Sequence, residues 1–325
     1  MPTGISEFEF SDLYLEPDGS AWAKRSPGDR ERTVLTDGAL QEAQRLRERI
    51  QEHKTGVDFS VPWGDMRLRI QRIETIDGDV FVCRKLMGSV LDINGLGFPP
   101  KLVDALLSES LNKGGVVLFT GSTGAGKSTS LGAWLAARLR LYGGTCWTVE
   151  NPIEMRLNGK HVGRNGVVGT CYQTEVRNEE EIGGSIQKIL RAAPNIIMVG
   201  EIRTAHAASQ TVFAGTSGVL GCATFHANDI MSALGRIKNL LNGSELDSIA
   251  DSLAAIIHQT ATTKIVNGVT RRETTIAPLI VSGSRSSTAI RSHLRSGDFS
   301  QLVSEIERQK NVLFSQDAQR GAAAL

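Results

Sequence analysis

The segment GSTGAGKS, Gly121 to Ser128, constrains this chain more than any other, because it meets every fixed position of the pattern G-x-x-x-x-G-K-[ST] and its flanks agree with it. Val116-Val117-Leu118-Phe119 before it reads as a buried strand, and Leu131, Trp134, Leu135 and Leu139 after it recur at helical spacing. A strand, a glycine-rich loop and a helix in that order let the backbone curl so that successive N–H groups point into one cavity, at the positive end of the new helix. Such a cavity holds phosphate oxygens. The residues expected to form it are Gly121, Ser122, Thr123, Gly124, Ala125, Gly126, Lys127, Ser128 and Thr129. Lys127 would reach the β- and γ-phosphates of a nucleotide, and Ser128 would offer its hydroxyl to Mg²⁺. No N-K-x-D element for reading guanine occurs in the sequence, so the expected cofactors are ATP and Mg²⁺ rather than GTP.

Strands and helices continue to alternate beyond the loop, with Thr145 to Glu150, Asn195 to Glu201 and Leu220 to His226 reading as strands. That alternation predicts an α/β domain whose mainly parallel sheet binds ligands at the carboxyl ends of its strands. Each of these strands ends in a polar residue, Glu150, Glu201 or His226. Glu150 and Glu201 are expected on strands flanking the phosphate-loop strand, with Pro152 ending the first so that Glu150 sits at its rim. Glu201 would reach the Mg²⁺ shell or an attacking water, and a carboxylate so placed acts as a general base if its pKa and distance suit. The sequence leaves the base open between Glu150 and Glu201. Glu154 has the residue type of an ordinary solvated strand end, and His226 is placed either to pack or to sense a γ-phosphate. The candidate catalytic residues are thus Lys127, Glu150, Glu201 and His226, with Ser128 and Glu201 as Mg²⁺ ligands, partly through water.

The first hundred residues predict a smaller α+β unit. Phe10, Leu13 and Leu15 suggest a strand, and Asp37 opens a helix with Leu40, Ala43, Leu46 and Ile50 on one face. Met66, Leu68 and Ile70 alternate with Arg67, Arg69 and Gln71, and Asp77-Gly78 turns that strand into Val80 to Arg84. Leu91 to Lys101 concentrates glycine and proline and breaks both periodicities, which divides the chain into residues 1–97 and 98–325. A late helix is expected over Leu246 to Gln259, with Leu246, Ile249, Leu253 and Ile257 on one face and Ser244 with Asp247 as a capping box. Asn267-Gly268 then marks a hairpin, and a weak helix from Phe299 fades into a frayed tail.

Bulk properties exclude more than they assign. A net charge of +1 over 325 residues shows no basic excess of the kind that direct nucleic-acid binding asks for. No apolar run approaches the roughly 18 residues that span a bilayer, and the N-terminal residues lack a signal-peptide pattern, so a cytoplasmic location is expected. Cys83, Cys146, Cys171 and Cys222 are scattered, without C-x-x-C or zinc spacing, and read as reduced packing residues.

The segments GSTGAGKST, TVENPIE, QTEV, IIMVGEIR and ATFHAND, in this order, resemble the PilT/GspE secretion ATPase superfamily over most of residues 115 to 265. They correspond to its Walker A, acidic box, inter-box Q-x-E-V, Walker B and histidine box. The resemblance implies a RecA-like P-loop NTPase domain preceded by a PAS-like domain, forming a homohexameric ring that hydrolyses ATP to drive a pilus or secretion machine. It also implies partners in an inner-membrane platform or secretion channel, and hence peripheral association with the inner membrane. MRLRI and FVCRK place Arg69 and Arg84 where the family carries arginines that reach nucleotide across a subunit interface; read alone, Arg67, Arg69 and Arg84 are equally the solvated face of a hairpin. The chain shows no tetracysteine element and no extra N-terminal domain, which resembles the short PilT-like and DotB/TraJ-like class. Asn151, Thr204 and Val219 depart from the family's usual aspartate, aspartate and histidine, and no A-I-R-N-L-I-R-E segment occurs near the C-terminus. Those departures turn the expectation toward a DotB/TraJ-like role in type IV secretion or conjugation. A type IV pilus retraction motor and a RecA-like nucleic-acid translocase are the alternatives.

Overall fold

The structure is a computed structural model that describes residues 4–5, 8, 10–25, 29–52, 56–86, 90–266 and 269–315. The chain forms two compact units, Met1–Ser89 with Asn151–Arg156, and Val90–Glu150 with Leu157–Leu325.

The first unit contains β1 (Asp12–Leu15), β2 (Ala21–Lys24), β3 (Thr33–Val34), α1 (Asp37–Glu52), β4 (Asp58–Trp63), β5 (Met66–Thr75) and β6 (Gly78–Lys85). Its strands make one sheet in the order β3-β2-β1-β6-β5-β4, antiparallel throughout. Alternation sends Leu13, Leu15, Ala21, Ala23, Leu68, Ile70, Phe81 and Cys83 into one core with Ala39, Ala43, Leu46 and Ile50 of α1. On the other face, register aligns Arg69, Arg84, Asp12 and Lys24 in one row across four strands.

The second unit contains α2 (Pro100–Leu106), β7 (Gly115–Gly121), α3 (Lys127–Tyr142), β8 (Gly144–Glu150), β9 (Gly159–Val162), β10 (Val168–Glu175), α4 (Glu181–Leu190) and β11 (Ile196–Glu201). It continues with α5 (Ala205–Thr216), β12 (Leu220–His226), α6 (Ile230–Leu240), α7 (Gly243–Ser252), β13 (Leu253–Val266), β14 (Val269–Ile280), α8 (Ser287–Ser296) and α9 (Leu302–Phe314). The sheet order is β14-β13-β7-β12-β11-β8-β10-β9. Its inner pairs from β13 to β10 are parallel, and only the edge strands β14 and β9 run antiparallel to their neighbours. The expected α/β architecture with a mainly parallel sheet, preceded by an α+β unit, is what forms.

The helix that follows the phosphate loop is anchored at its far end. Trp134, Arg138 and Tyr142 recur every four residues and so share one face of α3. The Trp134 indole donates to Leu106 O at 2.8 Å, Arg138 donates to Leu106 O and Ser108 O at 3.2 Å each, and the Tyr142 hydroxyl donates to Leu107 O at 2.5 Å. Leu106 O and Leu107 O are carbonyls that the end of α2 leaves without helical partners, and with Ser108 O they explain why a 2% exposed arginine is tolerated there.

Three expectations are corrected. The late helix ends at Ser252, and Leu253 onward is β13, a strand paired with β7 on one side and β14 on the other. Leu253, Ala254, Ala255, Ile256 and Ile257 are at most 1% exposed, and a run buried on both faces satisfies helical spacing as readily as strand spacing. The capping box is Asn242 with Glu245, two residues before the pair read from the sequence. Glu150 and Glu201 do not lie on strands that flank β7; its neighbours are β12 and β13, with β11 and then β8 beyond β12. The expected hairpin turn at Asn267-Gly268 lies outside the described residues, as does the tail beyond residue 315.

Candidate functional site

The phosphate loop leaves β7 at Gly121 and enters α3 at Lys127. Gly126, the residue before the helix, has φ 95°, a left-handed conformation that glycine adopts without the steric cost a side chain brings. Gly121 is required for a second reason, since a Cβ there would stand 2.2 Å from the carbonyl oxygen of Gln259 on β13. Lys127 is 7% exposed, and its ammonium donates to the loop's own Ser122 carbonyl at 2.9 Å. Ser122, Thr123 and Gly124 are exposed at the loop's crest, Ala125 is buried under it, and Ser128 and Thr129 are half-buried in the first turn of α3.

The parallel register brings three further strand ends to the same edge of the sheet. His226 pairs with Gly121, and Glu201 pairs with Thr224 on the next strand. Glu201 is a junction: one oxygen lies 3.2 Å from His226 Nε2 and the other 2.7 Å from Arg203, which also pairs with Glu179. Burial holds the His226 imidazole below its ordinary value despite the opposing pull of Glu201, and Lys127, Arg203 and Arg236 act in the same direction as burial. The ring is therefore neutral at neutral pH, able to donate from one nitrogen and accept at the other.

Glu150 sits deeper than a strand rim, at 2% exposure, with one oxygen accepting from Thr148 Oγ1 at 2.6 Å and from Gln173 Nε2 at 2.9 Å. Gln173 belongs to the QTEV segment, whose role the sequence left unassigned; its own Oε1 accepts from the backbone of Leu157 and Asn158, which fixes the amide's orientation. Gly200 leaves room for the Glu150 backbone and side-chain stem, because a Cβ there would stand 3.3 Å from Glu150 Cα and Cγ. Glu154 is exposed and belongs to the segment grouped with the first unit.

A cavity of about 390 Å³ opens beside the loop, lined by Ser122, Thr123, His226, Asn228, Ser232 and Arg236. Arg236, absent from the sequence reading, donates to the His226 carbonyl and lies 5.1 Å from the Phe225 ring. Its position on α6, ten residues after His226, carries no pattern a single sequence reveals. Backbone N–H groups, a buried ammonium and an adjoining arginine fit a polyphosphate, and the oxygens of Ser128 and Glu201 are of the kind a hard cation such as Mg²⁺ takes.

Arg69 and Arg84 lie in one row, and both are held by carboxylates of the first unit. Arg69 grips Asp58 bidentately at 3.0 and 2.5 Å, and Arg84 reaches one oxygen of Asp12 at 2.9 and 2.7 Å. Arg84 is the freer of the two, with its side chain 55% exposed against 33% for Arg69. Arg67 donates to Ser60 Oγ at 2.8 Å.

His258, next to Gln259 on β13, lies 3.0 Å from Thr120 Oγ1 on the phosphate-loop strand and is 7% exposed. Burial pushes its imidazole below the ordinary 6.5; Asp229 and the Asn228 backbone oppose the shift, and Lys127 adds to it. An unfolded imidazole gains its proton as pH falls through about 6.5 while the native one resists, so the unfolded state binds more protons there and stability is lost as pH falls. The thermal midpoint is expected to drop between about pH 7 and pH 5, and His258→Gln to shallow that drop. A variant with an unaltered pH profile would show that the native ring titrates as the unfolded one does.

Residues 40–306 match the family described as Type II/IV secretion system protein. The type IV pilus assembly ATPase PilB of Acinetobacter baylyi is 33% identical over 267 residues, covering 77% of this chain and 44% of that protein. The type IV pilus ATPase PilU of Pseudomonas aeruginosa is 33% identical over 242 residues, covering 72% and 59%. The chain thus spans less than half the length of that PilB and under two thirds of PilU. Among solved structures, the pilus retraction motor PilT with bound ADP superposes with TM-score 0.75 at 24% identity, covering 93% of this chain and 87% of that one. The Legionella pneumophila ATPase DotB superposes with TM-score 0.69 at 18% identity, covering 91% and 84%. At those identities the likeness is one of fold.

Proposed function

The chain belongs to the Type II/IV secretion system protein family, and we propose that it is an ATP-hydrolysing motor that works as a homohexameric ring and powers a type IV secretion or conjugative transfer apparatus. The observation that supports hydrolysis best is the meeting of four strand ends at one edge of the sheet, which sets a phosphate loop, two carboxylates and a neutral imidazole together. In this reading ATP supplies the phosphoanhydride bond and Mg²⁺ neutralises charge on its phosphates. Lys127 exchanges its Ser122 carbonyl for a phosphate oxygen. Ser128 and Glu201 would hold the metal, partly through water, with Glu201 oriented by His226 and Arg203. Glu150 or Glu201 orients and deprotonates the attacking water, and Gln173 with Thr148 keeps Glu150 from swinging away. His226 stands where a γ-phosphate would be sensed.

Residues 1–97 are assigned to an N-terminal domain and 98–325 to the motor, with Leu91 to Lys101 as the hinge. Arg84, and secondarily Arg69, would serve nucleotide held by a neighbouring copy, an arrangement that a heterologous, rotationally closed interface permits. Preference for a DotB/TraJ-like machine rests on Asn151, Thr204 and Val219; Thr204 is in place as the N-cap of α5, accepting from Ala207 N at 3.2 Å. The PilU relative favours a second reading, a type IV pilus motor. Among the described residues no helix is long and apolar enough to cross a membrane, so work at the inner membrane would proceed through platform or channel partners.

Subunit mixing tests the ring. Arg84→Ala and Lys127→Ala proteins are each expected to hydrolyse ATP poorly, and their mixture to regain turnover at interfaces that join an intact loop to an intact arginine. A trans arginine is worth about 10³ to 10⁵ in rate in phosphoryl transfer generally. No recovery at any mixing ratio would remove the trans assignment. Stimulation of turnover by DNA in the same assay would turn the reading toward a nucleic-acid translocase.

A further inference from the structure

β13 runs as an unbroken apolar strand from Leu253 to Ile257 and then changes character. Gln259 is 2% exposed, pairs in register with Gly121, and lies between β7 and β14, where a buried polar side chain is costly unless fully hydrogen-bonded. Its amide is half satisfied. Nε2 donates to Ser130 Oγ at 2.9 Å in the first turns of α3, while Oε1 is buried and meets no donor among the described residues. Such an unpaired buried acceptor calls for a physical reason.

The surroundings supply one. The Gln259 carbonyl oxygen is the atom that forbids a side chain at Gly121, and Nε2 lies 3.9 Å from where a Cβ on Gly126 would stand. One residue therefore borders the space beside both glycines that bracket the phosphate loop, and bonds to the start of the helix the loop feeds. A hydrophobic residue would pack the strand without leaving an orphan, and the neighbours Ile256 and Ile257 show that the strand accepts one.

We infer that Gln259 is a positioning residue of the phosphate loop: its amide ties the start of α3 through Ser130, and its unpaired Oε1 receives a loop donor when the loop closes on phosphate. The acceptor is left unsatisfied in the open arrangement and satisfied in the filled one, so it biases the loop toward the geometry that binds nucleotide. The inference rests on the nucleotide reading of the loop and adds a residue to it.

A purely structural role and a positioning role predict opposite pairings of stability and affinity. Removing an orphaned acceptor leaves the nucleotide-free protein as stable as before or more so, whereas removing an ordinary core hydrogen bond weakens it. Gln259→Met and Gln259→Leu also remove the Nε2 bond to Ser130, so the nucleotide-free thermal midpoint is compared in a Ser130→Ala background, where each is expected to equal or exceed that of Ser130→Ala alone. Their dissociation constants for fluorescent ADP should meanwhile rise about tenfold, or ~1.4 kcal/mol. Ser130→Ala should weaken ADP in the same direction, and the double variant should lose less than the sum of the two. A dissociation constant within twofold of wild type in the Gln259 single variants, or a midpoint below that of Ser130→Ala in both double variants, overturns the inference while leaving the nucleotide reading intact. A wild-type protein that binds no ADP overturns both.

Discussion

Lys127→Ala is expected to lower ATP turnover by at least about 10²- to 10³-fold, the range that follows loss of one donor aimed at developing charge. The reasoning starts from burial. A lysine that is 7% exposed, with its ammonium on a loop carbonyl, is fixed by the loop itself, and truncation to alanine removes that charge from the site. The Ser122 carbonyl it now holds also loses a partner, but that atom lies on an exposed crest and can turn to water, so the folded state should survive. The decisive measurement pairs turnover with the thermal midpoint. Turnover within a few-fold of wild type would remove Lys127 from the catalytic set; a collapsed midpoint would assign the loss to folding instead.

Glu201→Gln should separate binding from hydrolysis. The amide keeps the side chain's size and can still accept from Arg203, yet it cannot take a proton, and it offers a weaker ligand to a cation. Turnover is expected to fall by about 10²- to 10⁴-fold, the span typical of lost general acid–base help, while ATP stays bound. Equilibrium binding of ATP beside single-turnover hydrolysis tests this. If Glu150 is the base, Glu150→Gln will show the larger loss of the two, and Glu201→Gln will show a raised Mg²⁺ requirement. Retained hydrolysis in both variants would mean that neither carboxylate activates water.

Much of this site was legible because strand ends and loops carry strong local signatures. Gly121 to Ser128 and the strands closing on Glu150, Glu201 and His226 could be read from pattern, since a buried strand followed by a polar residue is a short-range statement. Order across the sheet could not be read. Nothing in the sequence says that His226, rather than Glu201, neighbours the phosphate loop, because that depends on which crossover passes over which strand. β13 was misread for a related reason: complete burial erases the alternation that distinguishes strand from helix. Gln173, Arg236 and Gln259 escaped because each acts on a residue distant in sequence, and one sequence shows spacing only within a segment. Arg69 and Arg84 were legible as candidates, whereas the carboxylates that hold them, Asp58 and Asp12, emerge only from strand register.

The four cysteines, all buried and unpaired, have a practical consequence for watching such a molecule move. Burial raises the thiols of Cys83, Cys146 and Cys222, so they stay protonated and shielded, and maleimides react with exposed thiolate. The natural chain is therefore close to silent toward thiol dyes without any cysteine being removed. A single cysteine placed at exposed Phe213 or Tyr172 would become the dominant attachment point for a fluorophore. One substitution would then suffice to report on each cycle of the molecule in real time.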